Sequence, residues 1–162
     1  MRTACVTLAA GFALCAGAWV VGCASAGGSR ASLGGLEPYR VNGRTYVPLR
    51  DWKGYEEEGL ASWYGARHHG RKTASGERFD AYDGLTAAHR TLPFNVCAEV
   101  EDLGTGRSVI VRINDRGPFA RGRVIDLSKA AASKLGLEQS GVARVHVEAV
   151  GVANTKGECR KS

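Results

Sequence analysis

Several short stretches of this chain alternate apolar and polar residues with a period of two, and that pattern constrains the fold most. Residues 143–149 set Ala143, Val145, Val147 and Ala149 on one face, with Arg144, His146 and Glu148 on the other. Residues 108–113 align Val109, Val111 and Ile113, residues 96–101 alternate, and Ala61 and Trp63 alternate with Ser62 and Tyr64. A period of two belongs to a strand with one face buried. Only one segment reads as a helix: Asp126 or Ser128 caps it, Lys129 to Leu135 fill it and Gly136 ends it. With 22 glycines and one methionine, the chain leans toward a turn-rich β protein. Its 162 residues leave room for one domain, and 44% apolar with 23% charged residues argue against wholesale disorder. Short strands, glycine-rich crossings and little helix predict a small closed β-barrel. No repeat of solenoid length interrupts that reading.

A segment of another kind precedes the strands. After Arg2, residues 4–21 carry no charge and are long enough to span a bilayer, so a retained anchor is one reading. Against it, the run is rich in Ala and Gly, and no Lys or Arg cluster follows to stop transfer. Val20-Val21-Gly22-Cys23 resembles the lipobox of bacterial lipoproteins. On that resemblance residues 1–22 are a signal peptide and Cys23 is the lipidated first residue, where several acyl chains give stable anchoring. Ala24, rather than Asp, follows the cysteine, which points to the outer membrane of a Gram-negative cell, facing the periplasm. Residues 23–36 then read as a flexible lipidated tether. Residues 37–58 read as a lead-in with a tight hairpin at Asn42-Gly43, residues 59–151 as the barrel and residues 152–162 as a tail.

Cysteine usage agrees with export. Cys5 and Cys15 leave with the leader and Cys23 takes the lipid, so Cys97 and Cys159 remain, and two leftover cysteines in an oxidising compartment usually pair. The alternative is a small buried Cys97 in a strand and a Cys159 in a frayed tail. The formal charge of +6 suits nucleic acid, an anionic membrane surface or an acidic polymer and does not choose among them.

Chemistry concentrates in a few clusters. Trp63-Tyr64-Gly65 leads to His68-His69-Gly70, residues 73–80 read TASGERFD, residues 85–93 read LTAAHRTLP, residues 111–119 read VRINDRGPF, and residues 124–128 read VIDLS. Together these resemble the rare lipoprotein A family over roughly Pro38 to Val150. The resemblance implies a mainly β fold, a six-stranded double-psi β-barrel with one or two short helices. It also implies a lytic transglycosylase acting on peptidoglycan glycan strands, with denuded strands the expected substrate and a non-catalytic peptidoglycan-binding or expansin-like wall-loosening barrel as the alternative. Many members carry a septal peptidoglycan-binding repeat domain; Ser162 comes too soon to leave room for one, so septal recruitment and contacts with cell-division proteins stay open. A monomer is expected.

A hydrolytic glycosidase commonly uses two carboxyl groups. A lytic transglycosylase can work with one, which protonates the glycosidic oxygen and then takes the proton of the muramyl C6 hydroxyl as a 1,6-anhydro ring closes. That acid must stay protonated near neutral pH, held so by an apolar pocket or a neighbouring acid. Asp115, at the end of the 108–113 strand, is the first candidate, and the resemblance places the family's key aspartate there. Its bland reading is a turn residue paired with Arg112 or Arg116. The resemblance assigns functional acids to Glu77 and Asp80 and a functional histidine to His89. Their bland readings are solvated loop carboxylates and a satisfied structural histidine. Trp63 and Tyr64 are candidates to stack on sugar faces, although Trp63 alternates like a core residue. Asn114 and Arg116 flank Asp115 and complete the substrate-binding candidates.

Other classes find little support. His68 and His69 are adjacent and point apart in extended chain, and no spaced His or Cys pair completes a zinc set, so no metal and no cofactor is expected. Nothing matches a phosphate loop. The basic charge lacks interleaved aromatics, so nucleic acid is not an expected partner. The expected partners are glycan strands and, through the lipid, a membrane.

Overall fold

A computed structural model describes residues 32–160; the expected signal peptide, Cys23 and most of the expected tether lie outside the described residues. Six strands close into a barrel: β3 (Glu56–Trp63), β4 (Thr86–His89), β5 (Val96–Asp102), β6 (Ser108–Asp115), β7 (Arg123–Leu127) and β8 (Ala143–Val152). Ahead of them β1 (Tyr39–Val41) and β2 (Arg44–Tyr46) form a separate hairpin. Around the barrel the order is β3-β7-β4-β6-β5-β8. Two neighbouring pairs, β3/β7 and β4/β6, run parallel, and the other pairs run antiparallel. This is the mainly β, six-stranded double-psi barrel that the motifs imply.

The alternating segments fold as their pattern requires. Val145 and Val147, Val109, Val111 and Ile113, and Val96, Ala98 and Val100 are all buried in one hydrophobic core. The helix α1 (Lys129–Leu135) starts at Ser128, whose hydroxyl accepts from the Ala131 amide at 3.1 Å; Asp126 is not its cap. It ends at Gly136, whose φ of 84° is the left-handed conformation a glycine takes most cheaply. A single 3-10 turn (Ala66–His68) lies in the crossing after β3. Among the described residues no helix is long and apolar enough to cross a membrane.

Three boundaries differ from the sequence reading. The barrel begins at Glu56 rather than residue 59, because Glu56, Glu57 and Glu58 pair with Glu148, Val147 and His146 of β8. Three consecutive acids have low β-propensity and look like loop, but their charges find partners across the sheet: Glu58 meets Arg144 at 3.2 Å and Glu57 meets Arg90 at 3.0 Å. The end of the expected tether is seated rather than free. Gly34 bridges Phe94, the Ser32 carbonyl accepts from Asn95 at 2.7 Å, and the Gly35 carbonyl accepts from Arg116 at 2.7 Å. The tail is also held: Ala153 is buried and Cys159 is joined to Cys97 by a disulfide.

Closure also explains β4, whose residues Thr86, Ala87, Ala88 and His89 are all buried. A strand covered on both faces shows no alternation, so the local pattern does not reveal it. At Gly59 the reason for glycine is a close approach, since a Cβ there would stand 2.3 Å from a Val124 methyl carbon.

The disulfide closes a sequence separation of 62 residues. Replacing Cys159 with Ser is expected to lower unfolding stability by about 2–4 kcal/mol, read from urea denaturation under oxidising conditions. An unchanged midpoint would mean that the tail adds nothing to the barrel.

Candidate active site

Both parallel strand pairs contain a register shift, and the two shifts build the site. In β4/β6, Ala87 lies opposite Ile113 but Ala88 lies opposite Asp115, so Asn114 is the extra residue of a bulge. In β3/β7, Leu60 lies opposite Arg123 and Ala61 opposite Ile125, so Val124 is the extra residue. Without the first bulge, Asp115 would continue the inward series Val109, Val111, Ile113. With it, Asp115 joins a row across four neighbouring strands: Asp115 on β6, Ala88 on β4, Asp126 on β7 and Ser62 on β3. Side chains in one cross-strand row share a face, and this row lies on the face opposite the core residues Ala61, Ile125, Ala87 and Ile113. Two aspartates therefore flank one alanine, with Cα positions about 10 Å apart by strand spacing.

Their surroundings differ. The Asp126 side chain is only 9% exposed. The Ser62 hydroxyl donates to it, and the Arg123 guanidinium stands 3.7 Å away. Burial raises the Asp126 pKa above the ordinary carboxyl value; the Ser62 hydrogen bond and Arg123 oppose the rise, and the nearby charge of Asp115 adds to it. Asp115 is half-buried, and one of its oxygens accepts from the Ala74 and Arg116 amides, each at 2.8 Å. The two arginines flanking it in sequence are occupied elsewhere. Arg112 pairs with Glu77, while Arg116 donates to the carbonyls of His89, Leu92 and Gly35 and lies 4.0 Å over the Phe94 ring.

Tyr64 completes the group. Burial, and then the charges of Asp115 and Asp126, push its phenol up, so it remains a protonated donor. A Cβ on Gly117 would stand 3.9 Å from the Tyr64 hydroxyl and 4.0 Å from the Ala88 Cβ, which puts the phenol beside the residue separating the two acids. Two clefts meet at Asp115. One, of about 240 Å³, runs past Tyr64, His68, Arg71 and Lys72; the other, of about 370 Å³, runs past Tyr39, Phe94, Arg116 and Phe119.

The remaining candidates surround this centre without entering it. Glu77 takes two hydrogen bonds from Arg112, at 2.7 and 2.8 Å, and one from Asn114 at 3.1 Å. Arg112 first, and Asn114 after it, hold the Glu77 carboxyl below its ordinary value, so it stays ionised at neutral pH. Together with the Ser75 amide on the Asn114 carbonyl, this pair pins the 73–77 loop to β6 and presents the Ala74 amide to Asp115. Asn114, 3% exposed, is thus held inward by Glu77. Asp80 is exposed and organises a turn, accepting from the Tyr82 and Asp83 amides at 2.9 and 3.2 Å, which lower its pKa.

His89 is fully buried, and burial lowers its pKa, so it is neutral. Its Nδ1 accepts from the Thr91 and Leu92 amides at 3.2 and 2.9 Å, which assigns the proton to Nε2. Nε2 faces the Tyr55 hydroxyl at 3.0 Å, and that hydroxyl donates to Glu57. Both ring nitrogens are engaged away from Asp115. Only the His89 carbonyl reaches the site, through Arg116. Trp63 packs against the core and lines neither cleft. Among the described residues no group of three or more His, Cys, Asp or Glu is arranged to hold a metal ion.

Sequence pattern marks Asp126 only as a possible helix cap and Arg112 only as a possible partner of Asp115, and it leaves Tyr55 and Glu57 unmarked. The missed signal for Asp126 was its place in VIDLS, an acid inside an otherwise apolar strand, where an unpaired carboxyl costs most.

Residues 56–147 match the family model described as lytic transglycolase. The chain belongs to that family. Among curated proteins it is similar to the endolytic peptidoglycan transglycosylase RlpA of Pseudomonas aeruginosa, at 56% identity over 113 residues, 70% of this chain and 33% of that protein. Proteins of the same name from Campylobacter jejuni and Vibrio cholerae are 46% and 47% identical over 78% and 75% of this chain, and over 46% of each relative. The rare lipoprotein A resemblance is thereby confirmed, and this chain spans less than half the length of these relatives.

The Glu77–Arg112 pair carries a pH signature. Because the folded-state pKa of Glu77 is lowered, its stabilisation is fully present above the usual carboxyl value of 4.5 and is lost as pH falls through the folded value. Glu77→Gln is expected to lower stability at neutral pH and to converge with wild type as pH falls below the usual carboxyl value of 4.5 and through the lowered folded value, in urea midpoints measured against pH. Parallel curves at every pH would assign the loop's anchoring to other contacts.

Proposed function

We propose that this barrel is an endolytic lytic transglycosylase that cuts the β-1,4 bond between MurNAc and GlcNAc in peptidoglycan glycan strands and leaves 1,6-anhydro-MurNAc ends. The family and the names of its relatives support this, and one observation carries it: a buried aspartate with a raised pKa stands in register with a cleft-facing aspartate, beside a protonated tyrosine.

In this reading the acid is Asp126, which stands behind the cleft wall across Ala88, and Asp115, the first candidate from sequence, lines both clefts and faces the substrate. Asp126 gives its proton to the glycosidic oxygen as the C1–O bond breaks and GlcNAc leaves with a free 4-hydroxyl. Positive charge develops at C1 of the muramyl ring, where the Asp115 carboxylate, steadied by two amides, stabilises it. The C6 hydroxyl closes onto C1, and its proton returns to the Asp126 carboxylate. Charge balances, the acid is regenerated and no water is consumed. Tyr64 donates a hydrogen bond between the two carboxyl groups, Arg116 keeps the wall of the second cleft in place, and Glu77, Asn114 and His89 act as positioning residues. Asp80 belongs to the surface turn that follows the 73–79 loop.

We also propose that the lipid on Cys23 holds the barrel at the outer membrane, facing the periplasm, where it works as a monomer on strands within reach. The lipobox resemblance supports this. Contacts with cell-division proteins would add to that anchor.

Digestion of purified sacculi and of glycan strands, followed by mass analysis, tests the reaction. Wild type is expected to release anhydro-muramyl ends, and Asp126→Asn to lower their rate by about 10²–10⁴-fold. Because the fold disfavours ionised Asp126, the same variant should match or exceed wild-type stability at neutral pH. Hydrated reducing ends would make the barrel a hydrolase. Binding without any product would favour the wall-loosening alternative.

A further inference from the structure

The two clefts that meet at Asp115 differ in charge. On one side Arg71 and Lys72 are exposed and line the cleft with His68. Among the described residues neither cation has a carboxylate within ion-pair distance. The crossing that carries them is held in place: the Gly70 amide donates to the Phe79 carbonyl at 2.9 Å, and the Phe79 amide to the Arg71 carbonyl at 2.8 Å. Lys72 bridges Arg78 in the same small ladder. On the other side of Asp115 the walls are Tyr39, Phe94 and Phe119, and the Arg116 guanidinium is committed to carbonyls and to the Phe94 ring. One half of the groove therefore offers uncommitted positive charge, and the other offers aromatic faces.

The substrate has a matching asymmetry. In a bare glycan strand the only anion is the lactyl carboxylate on C3 of each muramyl ring, and GlcNAc is uncharged. We propose that the Arg71–Lys72 cleft is the subsite of the muramyl ring whose C1 reacts, and that these two cations read its free lactyl carboxylate. This inference rests on the transglycosylase reading of the barrel. It gives the reacting bond a direction across Asp115, with the muramyl ring on the basic side and the departing GlcNAc on the aromatic side. An amide at the lactyl carboxyl, as in a strand that keeps its peptides, removes the charge that the cleft recognises. Charge-assisted contacts of this kind discriminate more strongly than neutral ones and weaken with salt.

The test uses soluble glycan strands in two forms, one with free lactyl carboxylates and one with the same carboxyls converted to methylamides, a change of charge with little change of bulk. Release of anhydro ends is followed with wild type, and equilibrium binding with Asp126→Asn so that no cleavage intervenes. Wild type is expected to favour the free form by about tenfold in kcat/KM, with a similar ratio in binding. Arg71→Gln combined with Lys72→Gln should bring both ratios close to one. Lys134→Gln, on the exposed side of α1, removes one charge far from the groove and should keep the preference. Equal handling of the two glycans by wild type, or a preference that survives the double variant, overturns the proposal. If wild type makes no anhydro ends from either form, the transglycosylase reading fails, and the binding ratio alone decides whether the cleft reads the carboxylate.

Discussion

Closure of the barrel is the constraint from which the rest follows. A six-stranded sheet with no free edge must satisfy every backbone partner on both sides of every strand. The parallel pairs β3/β7 and β4/β6 meet that demand only by absorbing one extra residue each, Val124 in one and Asn114 in the other. Bulges of this kind re-aim side chains. Here the bulge at Asn114 carries Asp115 onto the face that Asp126 holds by plain alternation, across Ala88, while the apolar residues on either side stay inside. The site is thus a product of how the sheet closes, and its two acids lie on strands that follow one another in sequence but are separated by β4 in the barrel.

Around that row, two arginines hold the flanking loops in place. Arg112 lies opposite Cys97 in the β5/β6 ladder, a Cβ on Gly157 would stand 3.3 Å from its Nε, and its guanidinium grips Glu77. Through Glu77 and Asn114 the 73–77 loop is fixed against β6, and the Ala74 amide reaches Asp115. Arg116 does the same on the other side, tying the Gly35 carbonyl at the end of the tether to the His89 and Leu92 carbonyls at and after the end of β4. Arginine suits both places because its planar fork can serve several acceptors at once. Burial, opposed by Ser62 and Arg123, raises the pKa of Asp126, while Asp115 faces the clefts and accepts from two amides.

Several parts of the fold were legible because they depend on neighbours in the chain. Asn42-Gly43 turns a hairpin since both residues accept positive φ, at 50° and 77°. Ser128 and Gly136 bound the helix through contacts within a single turn of chain. The strands β5, β6 and β8 showed their buried faces as alternation. The start of β3 at Glu56 was hidden because its acids are stabilised by Arg144 and Arg90, residues far away in sequence. The strand β4 was hidden because burial on both faces erases the period. Asp80 and His89 stood out as chemistry-bearing residue types, yet the fold uses one for a surface turn and the other as a buried acceptor for two amides.

The sequence by itself determined the helix, the hairpin turn and the alternating strands, the family and the identity of the clusters that carry chemistry, because turn residues, caps and periodicity act over a few residues and motifs are contiguous. Only the tertiary structure decided which acids face one another. That choice rests on strand register, and register is set between segments remote in the chain, where one extra residue in a ladder moves a side chain to the other face. Asp115 and Asp126 were both present in the reading of the chain, one as a catalytic candidate and the other as a cap; the bulge at Asn114 and the burial of Asp126 made them partners.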